Sequence, residues 1–288
     1  MPKQVAVIND LSGFGRCSLT VAISVLSSMR VSPCPMPTAV LSAQTGYPSY
    51  YCMDLSESMP CYAQEWSKLQ ARFDGIYTGF VASEEQILHI LEFVEMFQED
   101  STFLLVDPIL GDDGITYDMF TERLLQLMKQ LVSKAHYVTP NVTELCLLTD
   151  HAVEDVLAIH DVSELTAVVT KMGKMLLKRS DHLRAVIVTG LRSSHSLAPS
   201  IGNVIITEHE VIAHHEPVVG GSYSGTGDLF ASIITGSICN GISIEEAVKL
   251  ATRVIQGGIR SSLAEGTAEI AGINYEGQLS ELWKAIHI

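Results

Sequence analysis

Short β-rich runs alternate with longer stretches of helical period along most of this sequence, and no other feature limits its possible folds as strongly. QVAVIND (4–10) reads as a first buried strand, SLTVAISVLSSM (18–29) as a helix and PMPTAVLS (35–42) as a second strand. Further strands are expected at GIYTG (75–79), TFLLVD (102–107), HYVTP (136–140) and RAVIVTG (184–190). Between them Ile87, Ile90, Leu91, Val94 and Phe97 share one helical face, as do Leu165, Val168, Val169, Met172 and Leu176. This alternation predicts an α/β fold with a mostly parallel sheet covered on both faces. NVIITEHEVIAHHEP (203–217) departs from it and reads as a β-hairpin near the sheet edge, turning around Glu208-His209-Glu210. The stretch from Gly225 to Ile288 is mostly helical, with Ile244, Val248, Ala251, Ile255 and Ile259 in one apolar stripe. No linker, repeat or low-complexity segment divides the chain, so residues 1–288 read as one domain.

The balance of 18 Lys and Arg against 33 Asp and Glu gives a formal net charge of −15. Such a surface lacks the electrostatic drive for sequence-independent binding to nucleic acid or anionic lipid. An anionic substrate would be repelled at long range, so a phosphate site here must use local devices: helix N-termini, backbone nests and divalent metal. The six cysteines form no C-x-x-C pair and read as reduced thiols of a cytoplasmic protein. MPKQVAVIND is too short in its apolar part for a signal peptide, and no apolar run reaches the ~18 residues of a membrane span.

In an open parallel sheet, ligands gather where strands end at their C-terminal edge. Asn9, Asp10 and Ser12 follow the first strand; Ser42, Gln44 and Thr45 the second; Asp107 and Asp112 follow TFLLVD; Thr139, Asn141 and Glu144 follow HYVTP; Thr189 follows RAVIVTG. Each alone has an ordinary use as a cap or turn residue. Their shared position favours a site. Asp107, Asp112 and Glu144 are suitable oxygen donors for Mg²⁺, or supports for such donors.

GSYSGTGDLFASIITG (221–236) carries the strongest local signal. Gly225, Thr226 and Gly227 leave the amides at the start of a helix uncovered, where the helix dipole adds partial positive charge. Asp228 follows at once, placed either to take a proton or simply to serve as a first-turn acid. No Walker loop is present, and Gly13-Phe-Gly15 lacks the third glycine of a dinucleotide fingerprint, with Ser18 in its place. His209, His214 and His215 lack any zinc-binding context and read as surface histidines of the hairpin.

SAQTGYP (42–48), YTGF (77–80), DPILGDDG (107–114), TPNVTE (139–144), VIVTG (186–190) and SGTGDLFAS (224–232), in this order and spacing, resemble the ribokinase-like superfamily and within it the vitamin B6 kinases. The resemblance implies a three-layer α/β/α fold with an edge hairpin, and ATP-dependent phosphorylation of the 5′-hydroxymethyl group of pyridoxal, pyridoxine or pyridoxamine in pyridoxal phosphate salvage. By similarity Asp228 is the general base, and Gly225, Thr226 and Gly227 form the anion hole. Asp107, Asp112, Thr139, Asn141 and Glu144 match the metal and ATP-phosphate region, with Thr189 beside the nucleotide. Ser12, Thr45, Tyr47 and Phe80, with Asp10 and Gln44, fall on the pyridine-ring side. Family members use Mg²⁺, often with K⁺, and are commonly homodimers.

Two stretches depart from the B6-kinase pattern. Asn9-Asp10-Leu11-Ser12-Gly13 is nearer the S-D-P-S-G of hydroxymethylpyrimidine kinases, and Ala43-Gln44 is similar to their A-Q-N-T. Against that, those enzymes usually carry cysteine where Asp228 stands, and Thr45-Gly46-Tyr47 and Leu110-Gly111-Asp112 side with B6. Phe80 replaces a tyrosine common in the family, which removes one ring-side hydroxyl. A hydroxymethylpyrimidine or dual-substrate kinase therefore stays open, as does a non-catalytic protein that binds pyridoxal phosphate. Gly111 to Tyr117 has the composition of a loop able to close over ATP, or of an ordinary connection.

Overall fold

The structure, a computed structural model, describes residues 2–193 and 199–286. In chain order the elements begin β1 (Gln4–Phe14), α1 (Ser18–Ser28), β2 (Ser32–Ala43), β3 (Cys52–Asp54), α2 (Met59–Lys68), β4 (Gly75–Thr78) and α3 (Glu84–Phe97). They continue with β5 (Phe103–Val106), β6 (Gly111–Asp112), β7 (Ile115–Thr116), α4 (Glu122–Lys134), β8 (Tyr137–Val138), α5 (Val142–Thr149), α6 (Val153–Leu157) and α7 (Val162–Lys178). The last are β9 (Ala185–Ser193), β10 (Ser200–Ile206), β11 (Val211–Pro217), α8 (Thr226–Cys239), α9 (Ile244–Glu265) and α10 (Leu279–Ala285). Contacts divide the chain into two compact units, residues 1–103 with 219–288, and residues 104–218.

In the first unit the strands run in the order β4-β1-β2-β3. β1 pairs in parallel with both β2 and β4, and β3 adds an antiparallel edge. Val5, Ala6, Val7 and Ile8 are all fully buried, as expected of a strand covered on both faces. β1 runs past the expected end at Asp10 because Leu11, Ser12 and Phe14 keep pairing with β2 after a register shift beyond Asn9. Helix α1 crosses from β1 to β2 and packs on both strands and on α8, which in turn packs on α9.

In the second unit β5, β8 and β9 are parallel neighbours, and β10 and β11 continue the sheet as an antiparallel hairpin with β11 outermost. The expected edge hairpin is present. His214 and His215 are half-buried in it rather than fully at the surface, while His209 in the turn is exposed. Helix α7 packs on β9 and β10 through Leu165, Val169, Met172 and Leu176. Its N-cap Asp161 accepts the Glu164 N–H, and Ser83, Thr121, Asn141 and Ser243 cap α3, α4, α5 and α9 in the same way.

Candidate active site

The Gly225 region begins a helix, as its composition predicts. Gly225 is the N-cap of α8, with φ +79°, and the Leu229 N–H donates to its carbonyl at 2.9 Å. The N–H groups of the next residues, Thr226, Gly227 and Asp228, belong to the first turn and have no partner within the helix. A Cβ on Gly225 would stand 1.8 Å from the Arg16 carbonyl oxygen, so the position needs glycine for space as well as for backbone angle. Gly227 is exposed, and a Cβ there would meet nothing within 4 Å. This is the arrangement of an anion-receiving helix end.

Asp228 is 9% exposed in the first turn of α8. Burial pushes its pKa up to about 6; the Ser18 N–H opposes the shift, the nearby charge of Asp10 reinforces it, and the Asn9 amide opposes it. Asn9 Nδ2 donates to Asp228 Oδ1 at 3.2 Å. Among the described residues no cation forms an ion pair with Asp228, and its raised affinity for a proton suits a base.

Asp10 and Ser12 are buried beside each other on β1, and Ser12 Oγ donates to Asp10 Oδ2 at 2.8 Å. Burial raises the Asp10 pKa, against the pull of hydroxyl hydrogen bonds from Ser18 and Ser12. Burial, and then the charges of Asp228 and Asp10, push the Cys17 thiol to about 12, so it stays protonated and is no nucleophile.

The expected ring-side residues of β2 and its following loop divide in two. Gln44 is committed to the chain: Nε2 donates to the Ile270 carbonyl at 2.9 Å, and Oε1 accepts the Gly46 N–H at 2.8 Å. It clamps the loop after β2. Thr45 is exposed and Tyr47 half-buried. Phe80, also half-buried, follows β4 and is held through its backbone, its N–H donating to Asn9 Oδ1 at 2.8 Å and its carbonyl accepting from Thr38 Oγ1 at 3.2 Å.

The second unit carries the other predicted cluster. Thr139 Oγ1 donates to Asp107 Oδ1 at 2.8 Å, and both residues are buried. Asn141 and Glu144 form a capping box on α5, each side chain accepting the other residue's N–H at 2.9 Å. Glu144 also accepts the Leu110 N–H at 3.2 Å, so both its carboxylate oxygens hold backbone amides. Burial, and then the charge of Asp107, raise its pKa well above the ordinary carboxylate range. Asn141 donates to the Gly111 carbonyl at 2.8 Å, and Asn141 and Thr189 meet in a parallel bridge. Asp112 is exposed on the β6–β7 hairpin and accepts the Asp113 N–H at 2.9 Å.

Among the described residues no group of three or more His, Cys, Asp or Glu side chains is placed to hold a metal ion. Asp107, Asp112 and Glu144 therefore do not form an all-protein cage, and the occupied oxygens of Glu144 give it the part of an anchor for Leu110 and Asn141. Mg²⁺ bound through waters and substrate phosphates needs only one or two carboxylates, and Asp107 and Asp112 fit that requirement.

The residue that a sequence reading underrates is Asn9. It looks like a turn residue, yet it is fully buried and joins the Asp228 carboxylate to the Phe80 amide. Ser18, whose N–H reaches Asp228, stood at the start of an expected helix and was not singled out for the site.

Residues 23–272 match the family model described as phosphomethylpyrimidine kinase. The pyridoxine/pyridoxal/pyridoxamine kinase of Bordetella avium is 27% identical over 267 residues, spanning 89% of this chain and 84% of the relative. A Bacteroides thetaiotaomicron protein assigned to the phosphomethylpyrimidine kinases, crystallised in an orthorhombic form with pyridoxal, superposes with a TM-score of 0.86 at 34% identity. That match covers 100% of this chain and 96% of the other. The pyridoxal kinase of Lactobacillus plantarum superposes with a TM-score of 0.86 at 25% identity, covering 99% and 98% of the two chains. The expected α/β fold, with its mostly parallel sheet, is shared with these structures.

Proposed function

The chain belongs to the phosphomethylpyrimidine kinase family, and from that membership we propose that it transfers the γ-phosphoryl group of ATP to the 5′-hydroxymethyl group of a vitamin B6 vitamer. The observation that carries the reading is the buried Asp228 in the first turn of α8, directly after a glycine-flanked set of free amides. The B6 assignment over the pyrimidine one is supported by the names of the curated relatives and by the pyridoxal-bound crystal form of the Bacteroides protein.

An aspartate with a pKa of about 6 is mainly ionised at neutral pH and binds a proton more strongly than an ordinary one. It remains far weaker than an alkoxide, so the hydroxyl is not stripped of its proton before attack. The proton passes to Asp228 late, in a loose transition state. The dipole and amides of the α8 N-terminus receive the charge spread over the moving phosphoryl oxygens. Phe80, Tyr47, Thr45, Ser12 and Asp10 serve the ring side. Thr139, Asn141 and Thr189 serve the nucleotide, with Glu144 anchoring the backbone around them.

Mg²⁺ would be held by Asp107 and Asp112 and would supply charge neutralisation at the phosphates; K⁺ is a further expected activator. Residues 1–288 work as one kinase domain, in a cytoplasmic homodimer whose ligands are a B6 vitamer and ATP. The decisive experiment is ADP formation with pyridoxal, pyridoxamine, pyridoxine and hydroxymethylpyrimidine in parallel. Higher kcat/KM for a B6 vitamer supports the proposal, while preference for the pyrimidine favours the thiamin-pathway kinase instead. Tight vitamer binding without ADP release would leave a binding protein only.

A further inference from the structure

Asn9 occupies the place in β1 where pairing with β2 shifts register, and its side chain is fully buried. Oδ1 accepts two backbone amides, from Phe80 at 2.8 Å and from Asp10 at 3.0 Å. Those two donors fix which way the amide points, because a flipped group would set its NH₂ against them. Nδ2 is thereby directed to Asp228 Oδ1, 3.2 Å away. Space for it depends on Gly79, where an added Cβ would stand 2.4 Å from Nδ2.

We propose that Asn9 is a positioning residue for the phosphotransfer base: it holds Oδ1 of Asp228 and fixes the base relative to the ring-side backbone at Phe80. The assignment rests on the kinase reading of the site.

The groups that set the proton affinity of Asp228 lie on β1 and at the start of α1. They are the Asp10 carboxyl, the Asn9 amide and the Ser18 N–H; the neutral Cys17 thiol also faces the two acids. No cation is among them. Asn9 and Ser18 supply the hydrogen bonds that hold the ionised form, so losing the Asn9 donor leaves burial and Asp10 less opposed.

Two variants interrupt the same hydrogen bond differently. Asn9→Ala deletes the amide. Gly79→Ala keeps Asn9 but sets a carbon 2.4 Å from its Nδ2, 2.6 Å from Cγ and 2.9 Å from Oδ1, so the whole amide must shift away from its place against Asp228. The Asp228 titration is followed by NMR of ¹³C-labelled aspartate carboxyls, with the signal assigned by its loss in Asp228→Asn. In both variants the midpoint is expected to rise by about one pH unit. The acid limb of kcat/KM for vitamer phosphorylation should follow it, with kcat falling and the KM for ATP unchanged. An unmoved midpoint in folded variants overturns the proposal and leaves Asn9 a purely structural residue. If Asn9→Ala does not fold, because the Phe80 and Asp10 amides have lost their acceptor, Gly79→Ala decides. The carboxyl titration needs no turnover. A wild-type enzyme that forms no ADP with any vitamer therefore refutes the kinase reading separately, while the midpoints still test the grip of Asn9 on Asp228.

Discussion

Gly114 donates its backbone N–H to the Thr143 hydroxyl at 3.0 Å, which fastens the tip of the β6–β7 hairpin to the first turn of α5. Asn141 adds a second tie through the Gly111 carbonyl at 2.8 Å. Asp113 and Gly114 both have positive φ, as a tight two-residue hairpin turn requires. The glycine-rich stretch that the sequence offers as a closing loop or an ordinary connection is thus a hairpin with two fixed points. Asn141→Ala removes the helix cap and one tie together, and should cost ~1–2 kcal/mol. Amide exchange at 111–116 should speed up in that variant and in Thr143→Val, and exchange at wild-type rate in both would show that these contacts do not restrain the hairpin.

Asp228→Asn keeps the shape of the site and abolishes its proton acceptor. Turnover should fall by ~10²–10⁴, with the KM for ATP little changed. An ADP-coupled assay giving near wild-type kcat would remove Asp228 from the role of base.

The same residue makes an opposite prediction for stability. Its pKa rises from 3.8 unfolded to about 6 folded, so the folded chain binds this proton more tightly than the unfolded one. Stability therefore falls as pH rises through the interval between those two values, and above it the buried charge burdens the fold. Asp228→Asn should be the more stable protein at neutral pH by ~1–3 kcal/mol, with the difference fading by pH ~4. Urea unfolding at several pH values measures it, and a constant difference across the range would contradict it.

Gly225 and Gly227 should respond differently to alanine. At Gly225 the added carbon collides with the Arg16 carbonyl oxygen and meets an unfavourable φ, so Gly225→Ala should lose ~2 kcal/mol or more. At Gly227 the space is open and the backbone helical, so stability should hold or rise by ~0.5–1 kcal/mol. The new methyl nevertheless stands at the amides proposed to receive phosphate, and kcat should drop by roughly 10–100-fold. Unchanged activity in a stable Gly227→Ala would place the phosphoryl group elsewhere.

Metal dependence can be tested with the proposed carboxylates. EDTA should abolish ADP formation and Mg²⁺ restore it, with Asp107→Asn requiring ~10-fold more Mg²⁺ for half-maximal rate. An Asp107→Asn enzyme with the wild-type Mg²⁺ curve would exclude Asp107 as a holder of the ion.

The longer elements were legible in the sequence because burial writes a period into them. Val5 to Ile8 and Leu104 to Val106 are continuous apolar runs, and both became strands buried on two faces. β3, β6 and β7 were not read, since two or three residues carry no period. Asp228 stood out because glycine, acid and helical spacing coincide within a few positions. Its contact with Asn9 spans 219 residues, and nothing local to either one encodes it. Glu144 carries two readings at once: its N-x-x-E spacing from Asn141 is a local capping signal, while a carboxylate after a strand also suits a metal, and the hydrogen bonds to Leu110 and Asn141 show the first use.

The first turn of α8 carries the amides proposed to face phosphate on its backbone and the proposed proton acceptor on a side chain of that same turn. The two duties are thereby separable by substitution: exchanging the side chain at 228 retunes the acid–base step while the cradle keeps its form. One rigid corner of this scaffold can host differing proton chemistry without rebuilding.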